Sequence, residues 1–467
     1  MNSRRLPAGL ITVSLFAAAA AFAWDDFMVI TTDFATYGGV SLVDRHDPWH
    51  ADVDAATVSS DAVGRWHDGL YYVVNRGAAN IQVLDPAQGL ATLRQFSVGA
   101  GRNPQDIAFA PDGTAYVSCY DEAVFLQVDV VAGVVLDSWS TVAFADADGL
   151  PETSWMQAVG GLIYLTSQRL DRNDWWNPAG GSRLLVFDTN AGDWLDAVPG
   201  TPGIDGIMLS GQDPWAMPRL SPDGAGLLVS TVGRWAVADA GLETIDLAAM
   251  QSGGLVVTEQ ELGGEILGFV VLDDTHGWCV VSDASFVTHL KTFDPSGGAA
   301  ATVVSAGGYD FVDVAWDGEG LIYLCDRTYG AAGVRVFDAW SGGELTTSPV
   351  TVGRPPFMSV LPLESGATAA PGPAPAPLAL RAPWPNPANP RASFSFTAFP
   401  GERVRMDVCD LRGRRLRSLA ASADADGEGA HVFDGLDRAG RPLPSGSYLV
   451  VIRGSGGEAS RSFTLVR

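Results

Sequence analysis

Seven short hydrophobic runs in this chain end on an aspartate: Val43-Asp44, Leu84-Asp85, Val128-Asp129, Phe187-Asp188, Ile245-Asp246, Phe293-Asp294 and Phe337-Asp338. Successive aspartates lie 41 to 59 residues apart, with four strand-sized runs in each period. That period and strand count predict a β-propeller, in which each blade is covered by its neighbours. The internal order also repeats. A first strand runs into a turn such as Asp68-Gly69, Ala110-Pro111-Asp112-Gly113, Ser221-Pro222-Asp223-Gly224 or Asp317-Gly318. These residues tolerate the positive φ of a tight hairpin. A second strand with an aromatic follows, as in Tyr71-Tyr72-Val73-Val74, Ala115-Tyr116-Val117-Ser118 and Ile322-Tyr323-Leu324-Cys325. The third strand carries the terminal aspartate, and a fourth, outer strand is expected after it.

The ends of the repeat predict how the ring is completed. Residues 27–44 supply second and third strands with no first strand ahead of them. Gly353-Arg354-Pro355-Pro356 matches Gly101-Arg102-Asn103-Pro104, which introduces a first strand. The strand near residues 357–362 is therefore expected to complete the blade begun at Phe27. This N/C-terminal strand closure makes seven blades over residues 24–364 and leaves no open edge. The Asp-Gly turns, aromatic-Val second strands and hydrophobic-Asp third strands resemble the seven-bladed YVTN/YncE-like propellers of bacterial exported proteins. The resemblance covers roughly residues 24–363 and implies a fold rather than a chemistry.

Residues 1–23 read as a secretory signal peptide: Arg4 and Arg5, an apolar stretch, then Ala21-Phe22-Ala23 as a small-x-small cleavage site. No later apolar run is long enough to span a bilayer, so no transmembrane segment is expected after cleavage. The net charge of −25 is uneven. Residues 24–367 carry 45 acids and 14 bases, whereas residues 381–467 carry 9 acids and 13 bases. An acidic propeller argues against nucleic acid or anionic lipid as partner. The four cysteines fall within strands and are expected to be buried free thiols.

Residues 365–380 are expected to form an Ala/Pro/Gly linker, with GATAAPGPAPAP at 366–377 as its extended tract. Residues 381–467 alternate short apolar runs with Gly-Asp turns and predict a small Ig-like β-sandwich. Within them stand Trp384-Pro385-Asn386-Pro387-Ala388-Asn389-Pro390, Val404-Arg405-Met406-Asp407-Val408-Cys409-Asp410-Leu411-Arg412-Gly413 and Ser445-Gly446-Ser447-Tyr448-Leu449-Val450. This set resembles the FlgD-like Ig domain and the type A C-terminal sorting domain of the type IX secretion pathway. The resemblance implies a surface or periplasmic protein of a Gram-negative-type bacterium. The chain departs from the pattern at Phe433, often tryptophan there, and in lacking a lysine-rich ending.

No G-x-S-x-G, zinc pair or phosphate loop is present. His46 and His50 have ligand-like spacing on a loop without a third partner. Asp146-x-Asp148-Gly149 and Asp424-x-Asp426-Gly427 look like fragments of calcium loops, but neither runs on to the usual terminal glutamate. The expectation is a non-catalytic monomer without cofactor or metal, calcium being the weak exception. The alternative is a propeller lyase or hydrolase.

Insertions mark one face. They occupy residues 144–153, 168–181, 199–214 and 233–240, in the two longest periods, and carry Trp175, Trp176 and Trp235, with Trp215 directly after the third. Arg169, Arg172 and Arg234 stand beside them, and Arg102 and Arg327 are expected to open on the same mouth. Long loops on a rigid scaffold are where binding concentrates. Aromatic rings with arginines would suit an extracellular or envelope glycan, a peptide or protein, or a small anionic ligand.

Overall fold

The computed structural model describes residues 26–199, 203–297, 300–363, 378–398, 403–424, 427–438, 440–454 and 457–467. The expected signal peptide, residues 1–23, and the linker tract, 366–377, lie outside the described residues. The chain divides into two compact units, Ala23–Pro373 and one containing Ala374–Arg467.

The first unit is a seven-bladed β-propeller. Blade 1 orders its strands Ala51–Val58, Gly38–Asp44, Asp26–Thr32 and Pro356–Val360. The last strand comes from the far end of the repeat and pairs antiparallel with the first, Met28 opposite Val360. Blades 2 to 6 begin at Ala62–His67, Pro104–Phe109, Thr153–Val159, Arg219–Leu220 and Glu265–Asp273, and each continues by antiparallel neighbours in sequence order. Blade 7 comprises Phe311–Trp316, Leu321–Asp326 and Gly333–Asp338. Its outer edge differs from the expected fourth strand: among the described residues only isolated bridges form there, Val334 to Val350 and Phe337 to Glu344.

The repeated aspartates have a local cause. At the ends of their strands six of the seven carboxylates, all but that of Asp44, are seen to accept N–H groups of the turn that follows. Asp129 takes Val131 and Ala132, Asp188 takes Asn190 and Ala191, Asp246 takes Ala248 and Ala249, and Asp338 takes Trp340 and Ser341. Turn amides that would otherwise lack a partner are thereby satisfied without a further strand residue. Asp68 and Gly69, with φ of 45° and 80°, form the predicted tight hairpin between the first two strands of blade 2.

Packing between blades supplies the core. Val63, Val74 and Ile81 of blade 2 meet Ile107, Val117 and Leu126 of blade 3. Phe27, Val29 and Val43 of blade 1 meet Tyr323, Val334 and Val336 of blade 7. At Gly64 the side chains of blade 1 pack directly on the backbone of blade 2: a Cβ there would fall 2.8 Å from the Met28 methyl, which would have to shift. All four cysteines are buried free thiols. Burial pushes Cys119 and Cys279 up to about 12, so neither is a ready nucleophile.

The C-terminal unit is a β-sandwich. Ala379–Leu380, Ala392–Thr397 and Glu428–Phe433 form one sheet. Arg415–Ser422, Arg403–Cys409, Gly446–Gly454 and Gly457–Leu465 form the other. Phe394, Phe433 and Phe463 meet between the sheets at 5.3 to 5.9 Å. The pairing of Ala379–Leu380 with Leu380 opposite Phe396 assigns those two residues to the sandwich rather than to the linker.

Candidate functional site

The first strands of the blades surround the central channel, and a cavity of about 760 Å³ opens at one end of it. Antiparallel order puts the loops after second strands at this end and the Asp-Gly turns at the other. Trp175, Trp176, Trp215 and Trp235 all line the cavity, joined by Trp155 from the first strand of blade 4. Its volume falls within the roughly 300–1,000 Å³ of small-ligand pockets.

Two pieces of local structure hold the tryptophans. Residues 168–181 fold back as a short hairpin, Leu170–Asp171 against Asn177–Pro178. The Asp171 carboxylate accepts the Asn173 N–H at 2.8 Å and its carbonyl accepts the Trp176 N–H at 3.1 Å. Trp175 and Trp176 both sit in the left-handed region, at φ of 56° and 61°. Two consecutive bulky residues there are costly and mark a segment shaped by more than hairpin economy. Trp175 is 91% exposed. Opposite in sequence, Trp215 and Trp235 meet edge to face at 5.0 Å. The Trp155 indole N–H donates to the Trp215 carbonyl at 2.7 Å, tying the blade 4 strand to the loop.

The predicted arginines behave differently. Arg327 lines the cavity, but Arg102, Arg169, Arg172 and Arg234 are not among its lining residues. Arg102 is held by Glu122 at 2.8 Å and by the Val98 carbonyl at 2.7 Å. Arg169 donates to the Gly181 carbonyl, bracing the hairpin. Arg234 is exposed. Arg327 donates both terminal nitrogens to the carbonyls of Pro356 and Thr32. Arg172 makes ion pairs at 3.0 Å with both Glu152 and Asp121 and lies 4.8 Å from the Trp176 ring centre. It positions Trp176. Most of these guanidiniums are spent on the fold, because loops without strand partners use long donors to satisfy backbone carbonyls and buried acids.

The acids form two sets. Asp146, Asp148 and Glu152 bring one carboxylate oxygen each within 4.8 Å of one another. Glu152 therefore stands beside the Asp-x-Asp-Gly fragment, closer in sequence than a calcium loop would put it. Arg172 already faces this group, 3.8 Å from Asp148. Burial pushes Glu152 up to about 7 despite the Arg172 bond. Asp426 of the second such fragment lies outside the described residues.

Asp213 and Asp313 line the cavity itself. Asp213 is buried and accepts from the Gln168 amide, and burial pushes its carboxyl up to about 7. Asp313 accepts the Ser359 N–H at 2.9 Å and is likewise raised by burial. At the floor, Met217, Arg219, Asp313 and Met358 also line a second cavity of about 250 Å³ toward the Asp-Gly turns. Deeper in the channel Arg65 pairs with Asp106 at 2.8 Å.

The sequence reading missed Trp155, Asp213, Arg219 and Asp313. A signal for two of them was present: a charged residue inside an otherwise apolar first strand, as in Phe311–Trp316 and Arg219–Leu220, faces the channel because its neighbours fill the blade core.

No protein-family model matches the sequence, and neither does any curated protein. Solved structures of similar trace include PorZ, a bacterial surface component of the type IX secretion system of Porphyromonas gingivalis, at 12% identity and TM-score 0.40. That match covers 93% of this chain and 56% of PorZ. AztD from Citrobacter koseri matches at 13% identity and TM-score 0.45, covering 72% and 97%. A protein of unknown function from Desulfotomaculum acetoxidans matches at 12% and 0.47, covering 72% and 99%. Among the described residues no helix is long and apolar enough to cross a membrane.

Proposed function

We propose that the propeller is a non-catalytic binding module that takes a short glycan into the tryptophan-lined cavity. The observation that carries this reading is the gathering of five tryptophans around one space with Asn103, Gln105, Gln168 and Asn177. Indole faces stack on the C–H faces of sugar rings, and side-chain amides donate to and accept from ring hydroxyls. The strong negative charge of this unit disfavours polyanions. The resemblance of the sandwich to FlgD-like and type A sorting domains supports export and attachment at the cell surface as its role.

Glycan-array binding of the protein, followed by titration of tryptophan fluorescence, tests the reading. The expected result is saturable binding that weakens in both Trp175→Ala and Trp176→Ala. Binding that is unchanged in both variants removes the cavity as the site. A second reading, a hydrolase or lyase, draws on Asp213: a carboxyl held protonated near neutrality beside a ligand space is suited to general acid work. Release of product from bound oligosaccharide, lost in Asp213→Asn, would favour it over simple binding.

A further inference from the structure

Taking the cavity as a glycan site, we propose that its ligand is an acidic sugar whose carboxylate is gripped by Arg219 at the floor. Of the neighbouring arginines, Arg65 is committed to Asp106 and Arg327 to two backbone carbonyls, while Arg76 keeps one bond of 3.4 Å to Asp61 and lies 5.3 Å from the Trp155 ring centre. Arg219 differs. Its Nε donates to the Phe269 carbonyl at 3.3 Å, and its two terminal nitrogens have no hydrogen-bond partner among the described residues. Burial holds this guanidinium down to about 10, with Asp313 near enough to oppose the fall but not in ion-pair contact.

Arg219 is half-buried on the cavity wall, so its two terminal donors are open to a ligand that supplies acceptors. The guanidinium fork matches a carboxylate through two parallel N–H bonds. The tryptophans above it demand rings, and one carboxylate on a ring satisfies both requirements. A free phosphate would leave the aromatic walls unused, and the acidity of the unit opposes a ligand with many charges. A short, otherwise neutral glycan with a single uronic-acid residue fits this combination.

The test titrates the full chain with aldotetraouronic acid, a xylotriose bearing a single glucuronate, beside xylotriose as its neutral counterpart. The wild type is expected to bind an acidic sugar at least tenfold more tightly than its neutral counterpart. R219Q should bring the acidic sugar down to the level of the neutral one. R219K, which keeps the charge but loses the fork, should fall between. D313N should raise acidic-sugar affinity several-fold by removing the opposing carboxylate. Near-UV circular dichroism and melting show whether each variant is folded. Equal binding of acidic and neutral sugars by the wild type, or an undiminished preference in folded R219K and R219Q, overturns the inference and leaves the glycan reading standing. Binding of neither class overturns both. Displacement of the acidic sugar by an equal concentration of inorganic phosphate marks a general anion site and also overturns it.

Discussion

The two ends of the channel are made by different rules. At the Asp-Gly end, turns are short, carboxylates cap the amides beside them, and the cavities are small, about 250 and 260 Å³. At the other end, insertions of blades 4 and 5 rise into a hairpin and loops around about 760 Å³ lined by tryptophans. The first end repeats because each blade needs the same turn. The second is irregular because its insertions differ from blade to blade in length and local fold, and the proposed ligand site lies among them. Regularity thus reports scaffold, and departure from it reports the site.

Four substitutions separate the two, beginning with the largest effect. Phe187→Ala, in the packed core between blades 3 and 4 against Phe125, Trp139 and Trp194, should cost about 3–5 kcal/mol of stability by denaturant unfolding. Arg172→Met leaves Glu152 buried without its ion pair and should cost about 1.5–3 kcal/mol, while loosening Trp176 and weakening ligand binding as well. A loss of stability with no change in binding would detach Arg172 from the site.

Asp213→Asn tests the irregular end through pH. The native carboxyl keeps its proton up to about 7, whereas the unfolded one releases it near 3.8. Between those values the native state binds more protons, so stability falls as pH rises. The variant should flatten that decline in melting curves collected from pH 4 to 7.

Asp338→Ala, at the regular end, should cost about 0.5–1.5 kcal/mol through loss of its bonds to the Trp340 and Ser341 amides. Those bonds, with the one from the Ser341 hydroxyl, hold the Asp338 carboxyl below its ordinary value. The stabilisation is therefore present above pH 4 or so and is lost as pH falls through the depressed value. Ligand affinity should not change, and a fall in affinity would erase the distinction between the two ends.

The scaffold was legible because its rules are local. An aspartate that accepts amides two and three residues ahead leaves its mark at a fixed offset, and so does an Asp-Gly hairpin. The tryptophans were legible as inserted bulk. The arginines were harder to place because a guanidinium reaches partners far away in sequence, as Arg172 reaches Asp121 and Arg327, at the cavity, reaches Thr32. Nothing in the spacing of the chain says which long side chain is already engaged. Arg219 and Asp313 left only a faint signal, a single charge in each short first strand, and it is the ring that brings those strands to one channel.

The pairing of Asp26–Thr32 with Pro356–Val360 has a consequence for the order of events in folding. The inner strand of blade 1 is synthesised after every other strand of the propeller. Until it docks, Asp26–Thr32 presents an unpaired edge, and closing so long a loop is slow. Truncation upstream of Pro356 should therefore yield an aggregating product rather than a six-bladed remnant. A chain whose first blade waits for its last strand stays loose until it has emerged in full.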